Sequence, residues 1–264
     1  MKQTLTLLFV LFISMLSPVS SAAPKSELWP YWNVSNESNQ QSISHQNWQQ
    51  FLDDSLVLEG QHHLVTYANV SNADKKQLQN YIDQLALVDP RQYSKKEQYA
   101  YWVNLYNALT IDLILDNYPI ESITKLGGFF SFGPWGDELV TVAGKRLTLN
   151  DIEHRILRPI WQDPRTHYAV NCASLGCPNL QQTAFTAQNT DALLEQAAHE
   201  FINSDKGVKL SASSTQLSSI YDWFQIDFGA DEAALLKHIQ QYRPSIKELV
   251  GKVSYDYDWN LNQP

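Results

Sequence analysis

Two cysteines, Cys172 and Cys177, stand five positions apart in the stretch DPRTHYAVNCASLGCPNL, and the chain has no others. Their spacing allows four readings. A disulfide closes if the Cα atoms come within about 4.4–6.8 Å. Cys172 is a thiol nucleophile if a neighbour stabilises its thiolate. A zinc site would need both sulfurs and a histidine, but the spacing matches no zinc knuckle. The fourth reading is two inert buried thiols. Positive or hydrogen-bonding neighbours stand within twenty residues upstream: His154, Arg158, Arg165 and His167. An imidazole in turn needs a carboxylate or amide to orient it. Glu97, Glu153, Asn104 and Asn107 are the candidates. If the cysteines are bonded to each other, neither is a nucleophile. His154 with Glu97 or Glu153 then remains as the acid–base pair.

These residues need elements to hold them. The run SKKEQYAYWVNLYNALTIDLIL predicts the main helix, with Ser94 and Glu97 as a capping box and Tyr118-Pro119 as its end. Glu97, Tyr101, Asn104 and Ala108 share one face; Trp102, Leu105, Leu109 and Leu113 define a second, apolar one. A helix apolar around much of its circumference is a central helix. Asn is a poor helix former, so two in mid-run ask for a reason. Either their amides tie down a neighbouring loop, or they touch a ligand. LTLNDIEHRILRP predicts a helix capped by Thr148, with His154 and Arg158 on one face and Glu153 at its border. His167 to Val170 alternates like a strand leading into Cys172.

Further helices are expected over 45–58, from about 72 to 88, over 192–201 and over 231–242. A hairpin is expected over 139–147, and short extended pieces at 62–70 and 208–210. The loop GGFFSFGPWGDE sets Phe129, Phe130, Phe132 and Trp135 on a glycine-punctuated backbone, which suits the rim of a cleft or a cover over the core. The adjacent His62 and His63 point opposite ways in regular structure and make weak metal ligands. No glycine-rich phosphate cradle is present, and no cofactor or resident metal is expected.

The formal net charge is −9, with no basic run, so nucleic-acid partners are excluded on electrostatic grounds. Residues 1–23 carry one charge, Lys2, then an apolar run from Leu5 to Leu16, then small residues. Ser20 with Ala22, or Ser21 with Ala23, fits a signal-cleavage rule. About a dozen apolar residues are short for a bilayer span. Export to the periplasm or outside the cell is expected, without stable membrane insertion once the signal is removed. Residues 24–44 read as an irregular lead-in whose Trp29, Tyr31 and Trp32 could dock back, and residues 45–264 as a single domain.

The blocks EQYAYWVNLYNALTIDLILDNYP, LTLNDIEHRILRP, DPRTHYAVNCASLGCP and SIYDWFQIDFG, in that order, resemble the DUF547 family, a domain of unknown function. The resemblance runs from about Trp48 to Tyr242. It carries no activity across. The characteristic polar residues of the family stand here as Glu97, Asn104, Asn107, Glu153, His154, Arg158, Arg165, His167, Cys172 and Cys177. The family usually has Gly after the first cysteine, where this chain has Ala173. It often has Pro-Leu-Arg after the Cys-Pro pair, where Asn179, Leu180 and Gln181 stand. Members of the family in plants look intracellular, which shifts the reading of Cys172 modestly toward thiol chemistry or packing.

The expected fold class is therefore α+β: a helix-rich domain with a small, mostly antiparallel sheet, a distantly papain-like order being one version. The expected function is a thiol-dependent hydrolase or acyl transferase built on Cys172, His154, His167, Glu97 and Glu153. Asn104, Asn107, Arg158, Arg165 and Trp135 would support the site. The alternative is a non-catalytic binding or scaffold domain with a structural Cys172–Cys177 disulfide. In either case the partner would be a small molecule, a peptide or a glycan.

Overall fold

A computed structural model describes residues 24–128 and 132–264. The leader-type segment 1–23, together with Phe129 and Phe130 of the aromatic loop, lies outside the described residues.

The chain is α+β. Helices α1 (Gln46–Ser55), α2 (Asn72–Ala86) and α3 (Lys95–Asn117) make the first half, with the hairpin β1 (Leu56–Glu59) and β2 (His62–Val65) between the first two. The α2 entry is a full capping box of Ser71 and Asp74. On α3 the box is half made: Ser94 accepts the Glu97 N–H, but the Glu97 carboxylate accepts the Ile43 N–H rather than that of Ser94. Every residue of α3 from Glu97 to Ile111 is buried, so it is the central helix that its all-round apolar character implies. Trp102 packs edge-on against Trp32 of the lead-in at 5.0 Å, and the lead-in backbone bonds to the carbonyls of His154 and Arg155. The lead-in thus docks on the domain.

The expected hairpin at 139–147 forms as β3 (Val140–Val142) and β4 (Lys145–Leu147). Ala143 and Gly144 at its turn both have positive φ, as a tight hairpin requires. Thr148 and Asp151 then exchange reciprocal hydrogen bonds and start a helix. It is π-helical over Asp151–Leu157 and continues as α4 (Arg158–Trp161). Such widened turns concentrate at functional sites.

The predicted strand at His167 to Val170 is a helical turn instead, α5 (Thr166–Ala169). Asp163 causes this. Its side chain accepts the Arg165 N–H, Pro164 supplies a helix-compatible φ, and the Thr166 N–H bonds to the Asp163 carbonyl. Four residues are too few for alternation to tell a strand from one helical turn.

The second half holds α6 (Thr190–Ile202), β5 (Val208–Leu210), β6 (Ser214–Ser218), α7 (Ile220–Trp223), α8 (Gln225–Phe228), α9 (Glu232–Tyr242) and β7 (Lys252–Asp256). Strand β6 pairs antiparallel with β5 and parallel with β7. Among the described residues the strands make three small sheets of two or three strands.

Two apolar cores result. One is built on α1, α2 and α3 with Trp32, Trp48 and Trp102. The other gathers Tyr168, Phe201, Tyr221, Phe228 and Ile239. The boundary runs through α5, where Tyr168 belongs to the second core and Ala169 to the first. Among the described residues no helix is long and apolar enough to cross a membrane.

Candidate functional site

A cleft of about 670 Å³ opens at that boundary. The first core contributes Tyr106, Trp135, Glu153 and His154, and the second contributes Trp223, Phe224 and Tyr257; His167, Cys172 and Cys177 lie between. Phe132, Trp135, Trp223 and Trp259 give it an aromatic wall. Trp223 stacks on Trp259 at 5.6 Å, and Phe132 stands edge-on to Trp259 at 5.2 Å. The glycine-punctuated loop is thus part of the rim.

The polar floor is a connected network. Arg158 is 5 % exposed and donates through Nε to Asp227 at 2.6 Å and through one terminal nitrogen to His154 Nδ1 at 2.9 Å. An arginine can only donate, so His154 Nδ1 is bare and its proton sits on Nε2. Burial pushes the His154 pKa down to about 4; Arg158 and His167 add to this, and Glu153 opposes it. His154 is therefore a neutral ring at neutral pH.

His167 Nε2 is 2.7 Å from Asp227 Oδ2, and its Nδ1 is 3.7 Å from Glu153 Oε1. Burial alone would raise Asp227, but hydrogen bonds from His167 and Arg158 outweigh it and hold the carboxyl at about 2. An ionised Asp227 accepts, so His167 Nε2 carries a proton. His167 stacks on Phe224 at 4.4 Å, with Arg158 over the same ring at 4.7 Å. Tyr106 lines the same cleft, and burial, with the nearby Glu153 charge adding to it, raises its pKa well above the usual tyrosine value.

The two cysteines form a disulfide across a Cα separation of 6.2 Å. This corrects the reading of Cys172 as a free nucleophile, because a bonded sulfur offers no thiolate. Cys177 is 3 % exposed and Cys172 is half-buried at the cleft. The turn between them is set by Asn171, whose amide accepts the Ala173 N–H and donates to the Pro178 carbonyl. Ala173 sits at φ 57°, in the left-handed region that glycine occupies most readily.

Other candidates do not meet in the cleft. Glu97 accepts the Ile43 N–H at 2.7 Å and ties the lead-in to α3; it approaches neither histidine of the floor by any hydrogen bond or ion pair. Arg165 pairs with Asp163, Asp191 and Glu195. Asn104 bonds both ways to the Phe185 backbone. Asn107 donates to the Ala169 carbonyl and accepts the Asn171 N–H. Both amides therefore hold loops, and Asn107 holds the one that delivers Cys172. Among the described residues no cluster of three or more histidine, cysteine or acidic residues is placed to hold a metal ion.

Residues missed from the sequence are Asp227, Tyr106 and Tyr257. Asp227 lies in the block SIYDWFQIDFG, the signal that could have found it. Tyr257 lies in the YDYDWN tail.

Residues 90–202 match DUF547, a protein family of unknown function. The DUF547 match contains α3, the floor residues Glu153, His154, Arg158 and His167, and both cysteines. Asp227, Tyr257 and the SIYDWFQIDFG block fall outside it. No curated protein and no solved structure matches the chain.

Proposed function

We propose that the cleft is the active site of a hydrolase or acyl transferase working by acid–base chemistry, with His167 and Glu153 as the proton-transferring pair. One observation carries this reading: Asp227 holds one nitrogen of His167 at 2.7 Å, while the other faces the Glu153 carboxylate 3.7 Å away at the cleft. A carboxylate that fixes the tautomer leaves the far nitrogen free to take a proton from an attacking water or hydroxyl. His154 keeps its Nε2 proton as a neutral donor. The aromatic wall would receive a flat or sugar-like face of the substrate, whether small molecule, peptide or glycan. With the disulfide closed, the attacking group is not a thiol. Export is part of the proposal, supported by the leader-type pattern of residues 1–23 and by a disulfide in the mature region.

The test is a panel of chromogenic esters, amides and glycosides with the oxidised protein. Turnover should resist iodoacetamide, and His167→Gln or Glu153→Gln should lower kcat by about 10²–10⁴-fold with the fold intact by circular dichroism. Full activity in both variants would sink the assignment. Tryptophan quenching by ligands that are never turned over would instead favour the binding-domain reading, to which the exposed aromatic rim lends support.

A further inference from the structure

We propose that the Cys172–Cys177 disulfide is itself reactive and exchanges with thiols that enter the cleft, so that the protein is a thiol–disulfide oxidoreductase. This is a second activity beside the acid–base one and does not depend on it.

Exchange needs one accessible sulfur to be attacked and one leaving sulfur whose thiolate is stabilised. The two positions differ in this way. Both cysteines line the cleft, Cys172 half-buried and therefore the more accessible, Cys177 buried. Cys177 Sγ receives the backbone N–H of Cys172 at 2.9 Å, which the other sulfur lacks; the Tyr257 hydroxyl stands 3.0 Å from both sulfurs and can donate to Cys177 once that sulfur carries the charge. The Ser174 hydroxyl donates to the Tyr257 oxygen at 3.2 Å, which polarises that donor further. Burial raises the Tyr257 pKa, so it stays a neutral donor. Hydrogen bonds to an anion are worth more than those to a neutral sulfur, so this arrangement favours the state in which Cys177 has left as a thiolate.

The scaffold is built for a bond that opens and recloses. Leu175 and Gly176 donate backbone bonds to Asn260 and Asp258 of the C-terminal tail, which carries Tyr257. A Cβ on Gly176 would sit 2.7 Å from the Asp258 nitrogen, so the loop and the tail are in direct backbone contact. Asn171 holds both ends of the turn. The two sulfurs therefore stay opposed after the bond breaks.

The chemistry balances with a dithiol as the co-reactant. One substrate thiolate attacks Cys172 Sγ. The Cys172–Cys177 bond breaks, the electron pair goes to Cys177, and a mixed disulfide forms on Cys172. The second substrate thiolate attacks the substrate sulfur of that mixed disulfide and releases Cys172. The substrate is oxidised by two electrons, and the cysteines gain those electrons and two protons. A low-molecular-weight disulfide such as oxidised glutathione restores the starting state by the reverse exchange.

The experiment incubates the folded, oxidised protein with reduced glutathione and follows quenched samples by mass spectrometry. A glutathione adduct on Cys172 is expected in the disulfide-bonded protein; in Cys177→Ser, whose Cys172 is a free thiol, the same adduct should form with oxidised glutathione, releasing one reduced glutathione. Tyr257→Phe should slow opening of the disulfide by about ten- to a hundredfold, the loss of a hydrogen bond to a charged sulfur. A dithiol peptide with excess oxidised glutathione should be oxidised faster with the protein than without it. A bond that resists glutathione in the folded protein but opens on unfolding would overturn the proposal and leave a structural disulfide. An unchanged rate in Tyr257→Phe, which needs no cysteine variant to fold, would overturn the role given to the leaving sulfur. Hydrolytic turnover is read separately and does not bear on either outcome.

Discussion

Arg158 is buried with a full charge, and an arginine cannot shed its proton, so a partner is obligatory. Asp227 supplies it at 2.6 Å and serves His167 with the same oxygen. The depression of Asp227 from 3.8 to about 2 is a stability statement of roughly 2 kcal/mol. The sign follows from the direction. A lowered carboxylate contributes fully above its unfolded pKa near 3.8, and the contribution is lost as pH falls through about 2. Asp227→Ala should cost about 3 kcal/mol at pH 7, because Arg158 is left buried and unpaired. Urea melts at pH 7 in the wild-type and Arg158→Met backgrounds check this: the penalty should shrink where the buried charge is gone. An equal penalty in both would mean that the loss is packing alone. Nothing in the sequence around Asp227 says that it reaches back sixty positions to His167. The cysteines, His154, Glu153 and His167 could be picked by residue type, but their orienting carboxylate could not.

At the scale of elements, the two asparagines of α3 were legible as an anomaly, because a helix former would be preferred in mid-run. Their partners were not legible, since these are backbone groups of loops about sixty and eighty positions away. Asn107→Ala should leave the buried Ala169 carbonyl and Asn171 N–H without partners, at about 1–3 kcal/mol for each. It should also loosen the loop before Cys172, so glutathione should open the disulfide faster. Asn117→Ala is the control: Asn117 is exposed and bonds only to the Leu113 carbonyl, so its change should stay within about 0.5 kcal/mol. Denaturant midpoints of the two variants decide it, and similar values would contradict the clamp. The long helices were readable because many turns repeat one pattern. The four-residue α5 was not, because its form is set by the Asp163 cap rather than by hydrophobic periodicity.

Over the whole molecule, the same device recurs in both cores and at their boundary: a buried histidine kept neutral. His45 in the first core shares a hydrogen bond with Tyr81, His238 in the second with Tyr168, and His154 lies between them under Arg158. Burial lowers each from 6.5 to about 4, and for His154 the facing Glu153 and Asp227 only partly oppose it. At pH 7 folded and unfolded chains hold the same protons on these rings. As pH falls below about 6.5 the unfolded chain takes up three protons that the fold excludes, so stability falls until about pH 4, where the folded rings protonate too. Asp112 acts in the opposite sense. Burial and then Asp116 raise it to about 6, so the fold binds one proton between pH 6 and 3.8 that the unfolded chain does not. Three protons against one leaves about two, or about 3 kcal/mol per pH unit near pH 5. Against a typical total of about 5–15 kcal/mol, that is enough to melt the protein well above the pH at which Asp227 titrates. Scanning calorimetry from pH 7 to 4.5 should show a steep, continuous fall in Tm. His238→Gln should make it shallower by about one proton's worth. A Tm that stays level over this range would show that these rings are charged in the fold, and the neutral His154 assigned to the cleft would go with them.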